Sequence, residues 1–576
     1  MKGTIYINNE AQDQSTETDE ALVKDQKSSE ETKSENISEG KLSPYIEKFL
    51  DKFEERLRKP TETEGNTLKV SEVLGGLARL YERVRTTIEY KGEHVLRRNA
   101  IERILKRRVW EQGSIVENID ERKIAEFLVK ELIWARYLPN DSVTRSKLEK
   151  LANVIGKYLY LFRNLDNFPA NFSQTTVRTW VWGVASSEIE DVLDPSNREL
   201  YVKLMFDWFT DRFNWIDSEL DQHNKDIQIY LAIHRAHTKS DEPIMRYHLL
   251  MTELPDWKNA GKNEINKLIL EFPKIYAEIE DHLSYHGRFS LYRRVQKHSA
   301  AFDIFHEIAL QEKLNLRTLM EDKEKFIDKI RLVCEKKYRL IRQKVNTGIV
   351  RSIIYIFLTK VIFAMLIEIP YEIFMYSEVR YLPLSINIIF PPFMMWVIGM
   401  STKIPGAKNT EKIIERLESA VYPVENKNVQ NFSVAGNKRT SALSSLFGLI
   451  YLILFLLVFG GISYLLSLID FSLSGLIVFF AFMSLVTLFA FRVRFNAVQL
   501  KIDTEEETFF GHLASYLMLP FLNFGFYLSR GLAKINFLSI ILDFIIEAPL
   551  KSIIGLFEEW TSFIREKKEE VIELPE

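Results

Sequence analysis

The residues best suited to metal chemistry lie in one short segment, EIEDHLSYH. Within it His282 and His286 are one helical turn apart, and Glu278 precedes them by a further turn. A helix would therefore present two imidazoles and a carboxylate on one face, which is a ligand set for zinc or iron. Neither HExxH nor a Glu-x-x-His pair occurs here, and His286-Gly287 also suits the end of a helix. Ordinary core or surface histidines are the alternative interpretation, and no bound cofactor is expected.

Charged residues inside otherwise apolar segments are the second chemical feature. Lys360, Glu368 and Glu372 are separated by eight and four residues, so they fall within one sector of a helix. A later apolar segment also carries acids and bases at helical spacing. The two sets together comprise Lys360, Glu368, Glu372, Asp543, Glu547 and Lys551. They predict a buried polar network that lines a pathway, a static ion pair between helices or, for the later set, a helix lying in the lipid headgroups.

The third feature is the basic segment KGEHVLRRNAIERILKRR, whose bases surround an apolar stripe. Such a helix can bind anionic lipid or the phosphates of a nucleic acid. The solvated face of a core helix explains the same pattern, and beside a membrane we rank lipid above nucleic acid. The candidate lipid-binding residues are Arg97, Arg98, Arg103, Lys106, Arg107 and Arg108.

Composition limits the class of protein. The chain has 576 residues, 46% of them hydrophobic, and a net charge of -3, which excludes disorder throughout and gives no overall attraction to nucleic acid. The single cysteine, Cys334, excludes an intrachain disulfide and a multi-cysteine metal site. Glycine and proline are sparse, at 23 and 17 residues, so an all-α protein is predicted. No phosphate-binding glycine loop or nucleophile elbow occurs, and no catalytic residue is predicted.

The elements that position these residues fall into unlike regions. Residues 1–42 are polar and lack apolar periodicity, which predicts a disordered acidic tail. Residues 43–345 carry helical stripes such as Ile101, Ile104 and Leu105. They predict a cytosolic helical domain whose last helix lies next to the membrane and continues into the first span.

Residues 346–557 predict a transmembrane domain of four to six helices. The segment 442–469 has no charge over 28 positions and 471–491 has none over 21, so each can cross a hydrocarbon core of about 30 Å. They predict a hairpin with Asp470 at its tip, and 509–557 either spans twice, re-enters or lies at the interface. The other predicted spans are near 349–375, 382–400, 509–529 and 535–557, with a cytosolic loop at 401–441 and a charged cytosolic tail at 558–576.

The distribution of lysine and arginine predicts the orientation. The approach to the first span and the loop 401–441 are rich in bases, whereas the turn at Asp470 has none. The helical domain and the carboxyl tail are therefore expected on the cytoplasmic side of the cell membrane. The leading hypothesis is a membrane-anchored scaffold or assembly component that contacts the bilayer and a protein partner or a second copy. A transporter or channel that uses the intramembrane charges, and a membrane-tethered metalloenzyme, are the alternatives.

Overall fold

The computed structural model is almost entirely helical, which confirms the all-α class. The predicted tail up to residue 40, the segment 535–557 with Asp543, Glu547 and Lys551, and nearly all of 558–576 lie outside the described residues. The structure describes residues 41–58, 67–68, 70, 93–111, 120–164, 168, 173–195, 197–217, 219–424, 429–434, 441–502, 509–534, 560 and 563.

The first part of the chain consists of helices joined by short turns. In chain order the elements are α1 (Pro44–Arg58), α2 (Glu93–Glu111), α3 (Glu121–Trp134), α4 (Arg145–Arg163), α5 (Gln174–Leu193), α6 (Arg198–Arg212), strand β1 (Phe213–Trp215), α7 (Gln222–Ile233), α8 (Glu242–Glu253), α9 (Lys262–Ser284), α10 (Arg288–Gln311) and α11 (Leu316–Glu321). Polar side chains begin several of them: Thr144 caps α4, Ser173 caps α5 and Asp241 caps α8. Each accepts a hydrogen bond from an amide that no helical carbonyl can reach.

Two hydrophobic cores lie in this region. The first is enclosed mainly by α2–α5, α8 and α9 and contains Trp180 and Phe272. The second is enclosed by α1, α6, α7, α10 and α11 and contains Trp208 and Phe305. Tyr230 packs against both cores, so α7 lies at their boundary.

One long helix joins the second core to the apolar part of the chain. Helix α12 (Lys323–Phe363) buries Ile330 and Val333 in the second core and, further along, Ile349 and Ile356 in a third core. A π-helical turn over Ala364–Glu368 and helix α13 (Ile369–Tyr376) extend it. The helix expected beside the membrane and the first apolar segment are thus one continuous element.

The remaining helices are mostly apolar. They are α14 (Tyr381–Met400), α15 (Ala407–Val421), strand β2 (Gln430–Phe432), α16 (Ser441–Ser467), α17 (Leu473–Ala497) and α18 (Phe509–Lys534). Helix α14 continues through Pro391 and Pro392, and α18 continues through Pro520. The segments long and apolar enough to cross a membrane, within the described residues, are Lys323–Tyr376, Tyr381–Met400, Ser445–Ser467 and Leu473–Phe495.

Two turns lie side by side at one end of the apolar bundle. Asp470 has a positive φ of 59° in the turn between α16 and α17, where the sequence predicts a hairpin tip. The guanidinium of Arg380, which precedes α14, donates a hydrogen bond to the carbonyl oxygen of Asp470 at 2.8 Å. The ends of the first and third apolar helices therefore meet at the same side of the bundle.

The connection between α14 and α16 packs onto the helical domain. Helix α15 buries Ile413 and Leu417 in the second core. Strand β2 pairs in parallel with β1, with Trp215 opposite Phe432. A helix is predicted from the apolar pattern of 201–217, but the chain leaves the helix at Phe213 to form this pairing. The predicted loop 401–441 is therefore partly a structured component of the domain.

Candidate functional site

The predicted metal ligands of EIEDHLSYH do not come together. His286 is 71% exposed in its side chain and lies 3.4 Å from Glu219. The carbonyl and Nδ1 of His282 are both within hydrogen-bonding distance of the amide of Gln228. Among the described residues, the group of His, Cys, Asp and Glu side chains whose ligand atoms converge lies elsewhere.

That group consists of Glu199, His234 and His248, whose ligand atoms all lie within 4.8 Å of one another. The Oε1 atom of Glu199 is 3.2 Å from Nε2 of His234 and 3.3 Å from Nε2 of His248. The two imidazole rings are 4.8 Å apart between centroids. Glu199 lies in the first turn of α6, His234 follows α7 and His248 lies in α8. We name these three residues the His-Glu cluster.

The backbone at His234 departs from a regular α-helix. Residues His234–Thr238 form a π-helical turn, and Lys239 ends it with a positive φ of 55°. Such π-helical turns are rare and occur frequently at functional sites. The turn brings the hydroxyl of Ser240 to 3.2 Å from Nδ1 of His234. A polar partner is thus available to the ring nitrogen that faces away from Glu199.

Two further polar residues lie beside the His-Glu cluster. The hydroxyl of Tyr230 donates a hydrogen bond to Oε2 of Glu199 at 3.1 Å. Burial, followed by the negative charge of Glu199, raises the pKa of Tyr230, so this hydroxyl stays protonated as a donor. His94 also lies close enough to interact electrostatically with His234, and its buried Nε2 makes no hydrogen bond.

The protonation of the His-Glu cluster suits cation binding. Burial lowers the pKa of His248 to about 4, against the opposing effect of Glu199, so its imidazole is neutral near pH 7. Burial tends to raise the pKa of Glu199, but His248, His234 and the hydrogen bond from Tyr230 outweigh it and lower the value to about 2. The cluster therefore offers a carboxylate and a neutral imidazole at neutral pH.

A second polar group lies inside the apolar bundle. The ammonium of Lys360 pairs with Glu368, and the amide of Asn387 donates to the other oxygen of that carboxylate at 3.1 Å. The side chain of Lys360 is 0% exposed, and its ammonium lies 4.4 Å from the ring centre of Phe482. The contact is therefore dry. Glu368 is the last residue of the π-helical turn over Ala364–Glu368, which follows the helix that carries Lys360.

Glu372, the third acid predicted on this helix face, is also buried. One of its carboxylate oxygens accepts a hydrogen bond from the backbone amide of Arg380 at 3.2 Å. It thus stabilises the turn that precedes α14. The predicted partners Asp543, Glu547 and Lys551 belong to residues that the structure does not describe.

The basic helix α2 uses several of its charges inside the domain. Arg97 pairs with Glu190 and Asp194, and Arg98 pairs with Glu102 and Asp241. Both guanidinium groups are buried, at 8% and 5% side-chain exposure.

The rest of α2 is less enclosed. Arg107 and Arg108 both contact the buried carboxylate of Glu131. Arg103 is half-buried, whereas Lys106 is exposed and pairs with Glu102 one turn away. Of the six candidate lipid-binding residues, Lys106 alone is exposed.

Sequence reasoning missed the His-Glu cluster because its members come from three separate helices. Eight of the ten histidines lie between residues 223 and 306, including His234 and His248, and this concentration was the available signal. Glu199 precedes His234 by 35 positions and His248 by 49, and it forms no motif with either. Comparisons of the chain with known protein families, curated proteins and solved structures give no match.

Proposed function

We propose that the chain is a polytopic integral membrane protein that holds a large helical domain on the cytoplasmic face of the membrane as a component of an assembly. The observation that carries this proposal is the continuity of α12. Its first half belongs to the second core of the domain and its second half to an apolar segment long enough to cross a bilayer. A domain joined in this way has a fixed position relative to the spans rather than a flexible tether.

The surface of the apolar helices supports insertion in lipid. Large apolar side chains of α16 face outward, with Leu456 and Leu457 at 61% and 62% exposure. Comparable side chains on α12 and its extension, such as Leu366 at 71%, are also exposed. Soluble proteins rarely expose contiguous apolar surfaces of this extent, so a hydrocarbon environment explains them best.

A second set of contacts supports a rigid connection. The side chain of Asn409, on α15, donates to the hydroxyl of Tyr338 at 2.9 Å and to the carbonyl of Leu500 at 2.7 Å. Its carbonyl oxygen accepts from the amide of Ile502 at 2.9 Å. One buried amide thus joins α12, α15 and the segment that follows α17. An assembly component whose domain must keep one orientation would need such contacts.

The closed ion pair of the bundle favours anchoring over transport. A permeation pathway through Lys360 would require water or a vacant volume beside its ammonium group. The ammonium is instead enclosed by Glu368 and the ring of Phe482. We therefore infer that the pair is a static contact of one helix, which Asn387 on α14 and Phe482 on α17 connect to its neighbours in the bundle.

Labelling of single cysteines tests the membrane topology. The native thiol of Cys334 is 0% exposed, so the wild-type chain should resist a membrane-impermeant maleimide. Glu378→Cys and Ser467→Cys should react in intact cells. Lys408→Cys should react only after the cells are opened, because it lies at the opposite end of the bundle. Reaction of all three variants in intact cells, or of none before lysis, would contradict the proposed topology.

The assembly role has a separate test. The full chain, extracted from its native membrane in a mild detergent, should migrate in native electrophoresis as a complex larger than the 67.6 kDa monomer. The complex should persist with Lys408→Ala, a change at an exposed position of α15. A monomer at every protein concentration would refute the assembly role while leaving the membrane topology intact.

A further inference from the structure

We propose that Glu199, His234 and His248 together bind one divalent transition-metal ion of the zinc class. The carboxylate oxygen of Glu199 lies 3.2 Å and 3.3 Å from the two imidazole nitrogens. Ligands held about 2.0–2.1 Å from a tetrahedral zinc ion are separated from one another by roughly 3.3 Å. The two distances therefore match edges of such a coordination shell. This site is independent of the proposed membrane anchoring.

One ligand atom of the His-Glu cluster lacks a well-directed hydrogen bond. Nε2 of His234 is buried and makes no hydrogen bond, even though an oxygen of Glu199 lies 3.2 Å away. The contact is close enough, but its angles are unsuitable for a hydrogen bond. Buried polar atoms without a partner are uncommon and unfavourable. An ion between the three side chains would give this nitrogen the partner that it lacks.

The groups behind the ligands are those that support metal binding in proteins. A metal-bound imidazole usually donates its second N–H to a polar partner, which fixes the ring orientation. Nδ1 of His234 has the hydroxyl of Ser240 at 3.2 Å for this purpose. The carboxylate of Glu199 is oriented in turn by the hydroxyl of Tyr230 at 3.1 Å. His234 and Glu199 are therefore each oriented by a second polar group.

The ligand types indicate the class of ion, and the exposure of Glu199 indicates how it would enter. Two imidazole nitrogens and one carboxylate oxygen suit Zn²⁺, Fe²⁺ and Co²⁺ better than Mg²⁺ or Ca²⁺, which prefer oxygen ligands. The side chain of His234 is 2% exposed, whereas that of Glu199 is 39% exposed. An ion can therefore enter from the Glu199 side. Three protein ligands also leave a fourth position for water or another small ligand.

The position of the His-Glu cluster gives metal binding a structural consequence. Residues next to Glu199 on α6 belong to the second core, whereas residues next to His248 on α8 belong to the first. An ion held by both side chains would join the two cores where α7 separates them. Since it would bind the folded chain and not the unfolded one, it should raise the melting temperature of the protein.

The test uses the full chain, purified without an affinity tag in detergent, stripped with a chelator and titrated with Co²⁺ or Zn²⁺ alone. The wild type should retain one ion per chain after desalting, and its melting temperature should rise with the metal concentration. Bound Co²⁺ should also give visible absorption characteristic of nitrogen and oxygen ligands in a site of low coordination number. Glu199→Gln and His248→Asn should each weaken binding by more than about 10-fold, since even residues that only orient metal ligands contribute about 10–100-fold.

Two further variants make the result decisive. His286→Asn changes an exposed histidine outside the His-Glu cluster and should retain one ion per chain. Tyr230→Phe removes only the hydroxyl that orients Glu199, so it should fold and bind metal about 10-fold more weakly. The proposal is overturned if the wild type retains no stoichiometric ion, or if His286→Asn abolishes binding. Unchanged affinity in folded Tyr230→Phe and in Glu199→Gln would overturn it as well.

Discussion

Replacing Lys360 with methionine should destabilise the apolar bundle by about 3–5 kcal/mol, because it removes one partner of a buried ion pair and leaves the other behind. Lys360 and Glu368 are 0% and 8% exposed, so water cannot solvate the stranded carboxylate. Among the described side chains, Asn387 is the donor that Glu368 would keep. The substitution also removes the contact between the ammonium and the ring of Phe482, at 4.4 Å. This adds about 0.5–2 kcal/mol to the destabilisation.

A double variant separates the ion pair from the volume that it fills. Lys360→Met combined with Glu368→Leu removes both charges and should recover stability to within about 1 kcal/mol of the wild type, since apolar replacement of a whole buried pair is often neutral. Thermal melting of the detergent-purified chain measures the effect. For a bundle of about 200 residues the single change should lower the midpoint by on the order of 10 °C.

The exposed residue Lys408 supplies the control, because Lys408→Met should not change the melting midpoint. Two results would refute the static ion pair. The first is a Lys360→Met variant with the melting midpoint of the wild type, which would mean that the ion pair contributes nothing to stability. The second is a double variant as unstable as the single one, which would mean that the charges are needed for more than mutual neutralisation and would favour the transport alternative.

Three further predictions concern other parts of the chain. Burial, with a smaller effect of His237, lowers the pKa of His306 to about 4. Below pH 6.5 the unfolded chain therefore binds a proton that the folded chain does not. The free energy of unfolding should fall by up to about 3 kcal/mol as the pH decreases from 6.5 to 4. Urea unfolding at several pH values should show a shallower decrease for His306→Phe, and an identical pH profile would contradict this. Gly525→Ala places a Cβ atom 2.3 Å from the carbonyl oxygen of Ser484 and should destabilise the packing of α18 on α17 by about 1–3 kcal/mol. The control is Gly531→Ala, whose Cβ meets nothing within 4 Å. This variant should have the melting temperature of the wild type. Asn409→Ala should expose the 401–441 connection to proteolysis by removing its bonds to Tyr338 and Leu500, while Lys408→Ala should leave the digestion pattern unchanged.

The helical class and the apolar segments could be predicted because each depends on local pattern. Helix α2 follows the stripe of Ile101, Ile104 and Leu105, all of which are buried. The uncharged segments after residue 441 form α16 and α17 with Asp470 in the turn between them. The pattern did not reveal the pairing of β1 with β2, because its partners lie more than 200 positions apart.

The candidate site required tertiary information for the same reason. The spacing of Glu278, His282 and His286 fits one helix face, but α9 ends at Ser284 and leaves His286 exposed beside Glu219. The face of α9 that packs inward is occupied by apolar residues such as Ile275 and Ile279. In contrast, Glu199, His234 and His248 meet only because α6, α7 and α8 cross at the boundary of two cores. Neither spacing nor composition encodes that crossing.

The length of α12 has a mechanical consequence for the domain that it carries. At 1.5 Å per residue its 41 residues extend about 60 Å, and no kink-forming proline interrupts them. Bilayers of different thickness change the tilt of a spanning helix. If α12 spans a bilayer as we propose and its apolar half tilts by about 10°, the opposite end moves sideways by roughly 6 Å. A change in bilayer thickness would therefore be converted by the helix into a displacement of the second core, which packs on its far end.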